Sequence, residues 1–185
     1  MSGLIYIFTG EGKGKTSAAL GVATRSLLNG EKVDWIAFYK QQSWGLSESK
    51  LRDKFPNLEM EFVGKGFRIG KKTAPVGNKG HVVVDTASED EHRRAAEAGI
   101  VLANKRIHEK PFMIVLDEVL NAVTDGLVRE EDLIKMVENR EETHVILTGR
   151  GATDAIVKMA DLVTECKKIK HPYDAGKLAV KGLDF

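Results

Sequence analysis

The residues most able to do chemistry form one short run, Thr9-Gly10-Glu11-Gly12-Lys13-Gly14-Lys15-Thr16-Ser17. Glycines at these positions let successive backbone N–H groups curl around an anion, and a helix starting after them turns its positive end toward it. Lys15 would reach phosphate oxygens as a point charge, and the Thr16 hydroxyl would meet Mg²⁺. The common form of the motif has a glycine five residues before Gly14, where this chain has Thr9. Gly10 follows, so the turn keeps its length with the glycine displaced by one, and Lys13 adds a second positive charge. The run therefore indicates a nucleoside triphosphate site. The bland reading, a glycine-rich turn that binds nothing, leaves both lysines and the threonine without a purpose.

A magnesium nucleotide also needs an acid. Phe112-Met113-Ile114-Val115-Leu116-Asp117-Glu118 is an apolar strand ending in two carboxylates. Phosphate-binding folds of this class place such an acid beside the first strand, where it reaches the metal directly or through water. Asp117 is the candidate metal ligand with Thr16. Glu118 could polarise a water in a hydrolase or orient loops. Lys15, Thr16, Asp117 and Glu118 are thus the catalytic candidates. Arg150, in the Gly149-Arg150-Gly151 turn that ends another apolar strand, would sit at the edge where open α/β sheets bind ligands. It could hold nucleotide or acceptor, or pair with a surface acid. His171 precedes Pro172 and reads as structural. No convincing Ser/His/Asp, Cys/His or zinc constellation is present.

Elements must hold these groups in place. Leu4–Phe8, Val33–Tyr39, Leu58–Val63, Phe112–Leu116, His144–Thr148 and Leu162–Ile169 read as strands. Ser17–Leu28, Ser47–Lys54, Ser88–His108, Leu127–Asn139 and Ala152–Ala160 read as helices, with capping-box spacing at Ser88 and Glu91. The alternation predicts an α/β fold in one domain, residues 1–185, with a mostly parallel sheet of about six strands flanked by helices. Residues 64–80 break the pattern as a basic, glycine-rich stretch. It is either a solvated loop or a lid whose Lys65, Arg68, Lys71 and Lys72 meet a polar ligand, with Phe67 as an apolar contact.

Bulk properties narrow the function classes. The chain has 185 residues, 28 Lys+Arg against 27 Asp+Glu and a formal net charge of +1. That balance gives no support to a nucleic-acid or membrane-surface role. No apolar run is long enough to span a bilayer, and no signal peptide is recognisable. One cysteine, Cys166, excludes an intramolecular disulfide and suits a cytoplasmic location. It sits in an apolar run and is expected to be a small buried hydrophobe.

Together, residues 9–17, Val115-Leu116-Asp117-Glu118, Thr148-Gly149-Arg150-Gly151, Lys170-His171-Pro172-Tyr173-Asp174-Ala175-Gly176 and the ending Gly182-Leu183-Asp184-Phe185 resemble the ATP:corrinoid adenosyltransferases of the cobalamin-salvage, P-loop type. The displaced glycine belongs to that family's pattern. The resemblance implies a RecA-type P-loop fold, a homodimer, Mg²⁺ (or Mn²⁺) and ATP held by Thr9 through Ser17 and Arg150. It implies transfer of the 5′-deoxyadenosyl group to Co(I) of a reduced corrinoid, with release of tripolyphosphate. An electron-donor flavoprotein is an associated partner class. Phe67, Arg68 and Ile69 would lie toward the corrinoid, with Ile69 where the family has a tryptophan. The alternatives are a small P-loop phosphotransferase or NTPase, and a non-catalytic nucleotide-binding module.

Overall fold

Six short apolar strands alternate with helices, and a strand can return parallel to its predecessor only through such a crossover. The computed structural model describes residues 2–66 and 87–184. Phe67, Arg68, Ile69 and the remainder of the basic stretch to Gly80 lie outside the described residues.

The strands are β1 (Ile5–Thr9), β2 (Val33–Ala37), β3 (Leu58–Phe62), β4 (Met113–Asp117), β5 (His144–Thr148) and β6 (Leu162–Glu165). They form one sheet in the order β3-β2-β4-β5-β1-β6. Every pairing among the described residues is parallel, in line with the expected parallel sheet. The acid-bearing β4 is not beside β1, as the sequence had suggested. β5 lies between them, pairing with both.

The helices are α1 (Lys15–Leu28), α2 (Glu89–His108), α3 (Val119–Thr124), α4 (Glu130–Glu138) and α5 (Asp154–Lys158). Strand side chains alternate between two faces. Met113 and Val115 of β4 join Ala19, Ala23 and Leu27 of α1 on one side. Ile114 and Leu116 join Ala103 and Ile107 of α2 and Leu133 and Val137 of α4 on the other. The capping box at α2 is formed: Glu91 N donates to the Ser88 hydroxyl at 3.3 Å and Ser88 N donates to Glu91 Oε2 at 2.8 Å. Such a cap contributes about 1 kcal/mol.

Several boundaries differ from expectation. α1 begins at Lys15, two residues early, so the lysine belongs to the helix's first turn. The expected helix Ser47–Lys54 is a 3₁₀ segment, Ser47–Asp53. Leu127 and Val128 are buried in a turn before α4, and the short α3 was missed. α5 covers only the centre of Ala152–Ala160. β6 stops at Glu165 because its one partner among the described residues, β1, ends at Thr9, where the chain turns into the glycine loop. Cys166 therefore lies beyond the strand and is half-buried, not a core residue.

Asp34 is the main conflict inside the fold. It lies in β2, is 1 % exposed, and neither carboxylate oxygen has a hydrogen-bond partner among the described residues. Burial raises its pKa from the ordinary 3.8 to about 6, against the pull of Lys32 and Arg106. The folded state thus holds this proton more tightly than the unfolded chain. Asp34's contribution to stability is fully present below about pH 4 and is lost as pH rises through about 6. Asp34→Asn resembles the protonated acid. It should stabilise the protein at pH 7.5 by on the order of 2–3 kcal/mol and raise the melting midpoint by roughly 5–10 °C. The gain should vanish near pH 4. Calorimetry at both pH values checks this, and equal midpoints at pH 7.5 would contradict it.

Candidate active site

The glycine loop is shaped by close approach as well as by positive φ. Gly10 and Gly14 have φ of 100° and 119°, a region closed to most side chains. At Gly12, an added Cβ would lie 2.5 Å from the Cys166 carbonyl oxygen. The chain leaving β6 clasps the loop there, with Cys166 N donating to Thr9 O at 2.7 Å and Gly12 N donating to Cys166 O. The loop is thus held from both sides at the positive end of α1.

Lys15 is 7 % exposed. Its ammonium donates to the carbonyls of Gly10 at 2.7 Å and Gly12 at 2.8 Å, curling back into the loop. Burial pushes its pKa below the ordinary value, opposed by the Glu118 carboxylate, while Arg150 adds to the depression. Lys13 is paired with Asp184 of the terminal segment, and desolvation lowers its pKa. Thr9 ends β1, whereas Glu11 and Ser17 are exposed at the mouth.

The acid side converges on the loop. Asp117 is fully buried at the end of β4. Its Oδ1 accepts from the Thr16 hydroxyl at 2.9 Å and from the Thr148 hydroxyl at 2.7 Å. Its Oδ2 accepts no hydrogen bond of good geometry but faces the Lys40 ammonium at 2.8 Å. A hydroxyl and a carboxylate meeting across the loop suit a hard cation. Mg²⁺ is usually held by one or two carboxylates and by substrate phosphates rather than by an all-protein cage.

Glu118 caps α3 with φ of 63°, a strained conformation for a glutamate, and its N–H donates to the Thr148 hydroxyl at 2.8 Å. Burial, then the neighbouring Asp117 charge, raises its pKa to about 6, against Lys40, Lys15 and Arg150. Arg150 is exposed, and its Nε lies 3.4 Å from Glu11 Oε2, tying the Gly-Arg-Gly turn to the loop. Gly149 has φ of 134° and no room for a Cβ, which would lie 2.8 Å from Asn121 Oδ1.

The structure therefore brings together Lys15, Thr16, Asp117, Glu118 and Arg150. His171 stands apart, with its Nδ1 accepting from Tyr173 N at 3.1 Å to cap the turn Pro172–Ala175, as the structural reading expected. Sequence reasoning missed Thr148 and Lys40. Thr148 ends β5 and Lys40 follows the end of β2 by three residues, both on the C-terminal edge where parallel sheets collect ligands. That placement was the available signal.

Cys166 offers a direct report on the loop, since its Sγ lies 3.8 Å from where a Gly14 Cβ would stand. Bound ATP should slow alkylation of this single thiol several-fold. Mass-spectrometric labelling checks it, and an unchanged rate at saturating Mg·ATP would contradict a nucleotide seated in the loop.

A family model described as ATP:corrinoid adenosyltransferase BtuR/CobO/CobP matches residues 1–185. The chain is 35% identical over 185 residues to a corrinoid adenosyltransferase of Escherichia coli (strain K12), covering 99% of this chain and 86% of that protein. It is 32% identical over 189 residues to the corrinoid adenosyltransferase CobA of Salmonella typhimurium, covering 99% and 86%. A corrinoid adenosyltransferase of Pseudomonas aeruginosa is 30% identical over 186 residues, covering 99% and 84%.

Proposed function

The chain belongs to the ATP:corrinoid adenosyltransferase family BtuR/CobO/CobP, and from that premise we propose how its residues divide the work. The reaction moves the 5′-deoxyadenosyl group of ATP to the cobalt of a reduced corrinoid. Co(I) supplies the electron pair that forms the Co–C5′ bond. The C5′–O5′ bond breaks, and tripolyphosphate leaves with its electrons. Because the nucleophile is the metal of the substrate, no activated side chain is needed, and catalysis rests on positioning and charge stabilisation.

The observation that carries the assignment of roles is the Thr16–Asp117 hydrogen bond of 2.9 Å, formed between residues 101 positions apart. It joins the loop lysine, the loop hydroxyl and the strand-end acid into one site. In this reading Thr9 through Ser17 and Arg150 hold ATP, and Lys13 and Lys15 stabilise the departing triphosphate. Thr16 and Asp117 hold Mg²⁺ or Mn²⁺, which neutralises phosphate charge when bound. Glu118 orients the Asp117 side of the site. Phe67, Arg68 and Ile69, outside the described residues, are the corrinoid contacts of this proposal. A single nucleotide-binding domain, working as a cytoplasmic homodimer supplied with electrons by a flavoprotein, completes the proposal.

An ATP analogue tests the reaction class. With β,γ-imido-ATP no bond to phosphorus has to break, so transfer to cob(I)alamin should proceed and release the imido-tripolyphosphate. A phosphotransferase or NTPase acting at the γ-phosphate would be blocked by it. Failure of the analogue, together with corrinoid-independent ADP formation from ATP, would overturn the reading.

A further inference from the structure

Lys40 is a buried cation that the loop chemistry does not use. It follows β2 and is 8 % exposed. Its ammonium lies 2.8 Å from Asp117 Oδ2 and 2.9 Å from Glu48 Oε1. The Glu48 side chain is 9% exposed, so the three groups form a desolvated carboxylate–ammonium–carboxylate chain.

The backbone behind Lys40 is set against movement. Lys40 N donates to Phe38 O at 2.7 Å across a three-residue turn, and Tyr39 at its centre has φ of 63°. Such turns are strained and persist only where neighbours over-determine them. Phe38 N donates to Asp117 O at 2.9 Å, Gly66 N donates to Tyr39 O at 2.9 Å, and Gly64 N donates to Lys40 O at 3.0 Å. A Cβ on Gly64 would come within 2.0 Å of the Tyr39 carbonyl carbon. The Tyr39 hydroxyl donates to Asp125 Oδ2 at 2.6 Å. Strain held this firmly, beside the acid of the site, marks a position built for a purpose.

We propose that Lys40 is a positioning residue that competes with the divalent cation for Asp117, setting how tightly the metal binds and keeping the carboxylate aimed at Thr16 before the metal nucleotide arrives. The inference rests on Asp117 being the metal's carboxylate. Oδ1 is engaged by two hydroxyls, so Oδ2 is the oxygen left to face a positive charge, and Lys40 occupies that direction. Glu48 draws the ammonium away from Asp117 and so weakens the competition.

Mn²⁺ binding to the full chain without nucleotide, followed by electron paramagnetic resonance, reads this directly. Lys40→Met should tighten Mn²⁺ about tenfold, a change of roughly 1.4 kcal/mol. Lys40→Arg should stay near wild type. Glu48→Gln should weaken Mn²⁺ about threefold, because the ammonium then falls wholly to Asp117. Opposite signs from the two partners are a signature that general damage to the fold does not produce. In an Asp117→Asn background the Lys40→Met effect should disappear. Shifts of the same sign, or unchanged affinity in both variants, would overturn the proposal while leaving Asp117 as the metal acid. Asp117→Asn alone binding Mn²⁺ like wild type would overturn the metal assignment, and the proposal with it. If Lys40→Met fails to fold, Glu48→Gln decides: weakening supports the proposal, and no change overturns it.

Discussion

Lys15→Ala lowers kcat/KM for ATP by about 100-fold or more in the transfer to chemically reduced cob(I)alamin. The expectation follows from where the ammonium is kept. It is buried in the concavity of the loop, held by the carbonyls of Gly10 and Gly12 at 2.7 and 2.8 Å. Those carbonyls are replaceable acceptors, and a triphosphate in the loop takes their place. Its negative charge grows on the leaving side as the C5′–O5′ bond breaks, so the lysine acts more strongly in the transition state than on bound ATP. Alanine removes that charge while leaving the backbone cradle. The stability cost is small by comparison, about 1 kcal/mol for the released carbonyls. Lys15→Arg does not rescue, because a planar guanidinium cannot occupy a pocket shaped for a point charge. Steady-state kinetics check the prediction, and a loss under threefold would contradict it.

Asp117→Asn has a double effect. Asparagine keeps the shape and an Oδ1 acceptor for the Thr16 and Thr148 hydroxyls, so the hydrogen bonds survive and only the charge is lost. Activity at low Mg²⁺ should fall about 100-fold, with partial recovery as Mg²⁺ is raised. The protein should also lose about 2 kcal/mol or more of stability, because the buried Lys40 ammonium keeps only Glu48 as a partner. That corresponds to a melting midpoint lower by roughly 4–8 °C. The two losses separate Asp117 from Lys15, whose substitution lowers the midpoint by only roughly 2–4 °C. An unchanged Mg²⁺ dependence would contradict the role of Asp117.

How far the sequence could be read depends on the range of each interaction. The strand–turn–helix around the loop was legible because its determinants are local: glycines at positive φ, then an uninterrupted helical run. The capping box of α2 was legible for the same reason. The acid was legible as a residue type at a strand end but not in its place, since no local feature tells that β5 inserts between β4 and β1. Lys40 and Thr148 gain their roles only from contacts with Asp117, far away in the chain. Asp34 was hidden in an apolar strand because its cost is set by what surrounds it in the sheet. α3 was missed because Val119, Val123 and Thr124 are β-branched and the helix is too short to show a period. Its helical state is set by packing, since Val119, Leu120 and Ala122 are fully buried.

The most direct test is an anaerobic reaction of the protein with chemically reduced cob(I)alamin, ATP and Mg²⁺, followed by absorbance and by analysis of both products. The account predicts loss of the Co(I) spectrum with adenosylcobalamin and tripolyphosphate formed one for one. ATP turned over to ADP and phosphate, with the Co(I) spectrum unchanged, would contradict it.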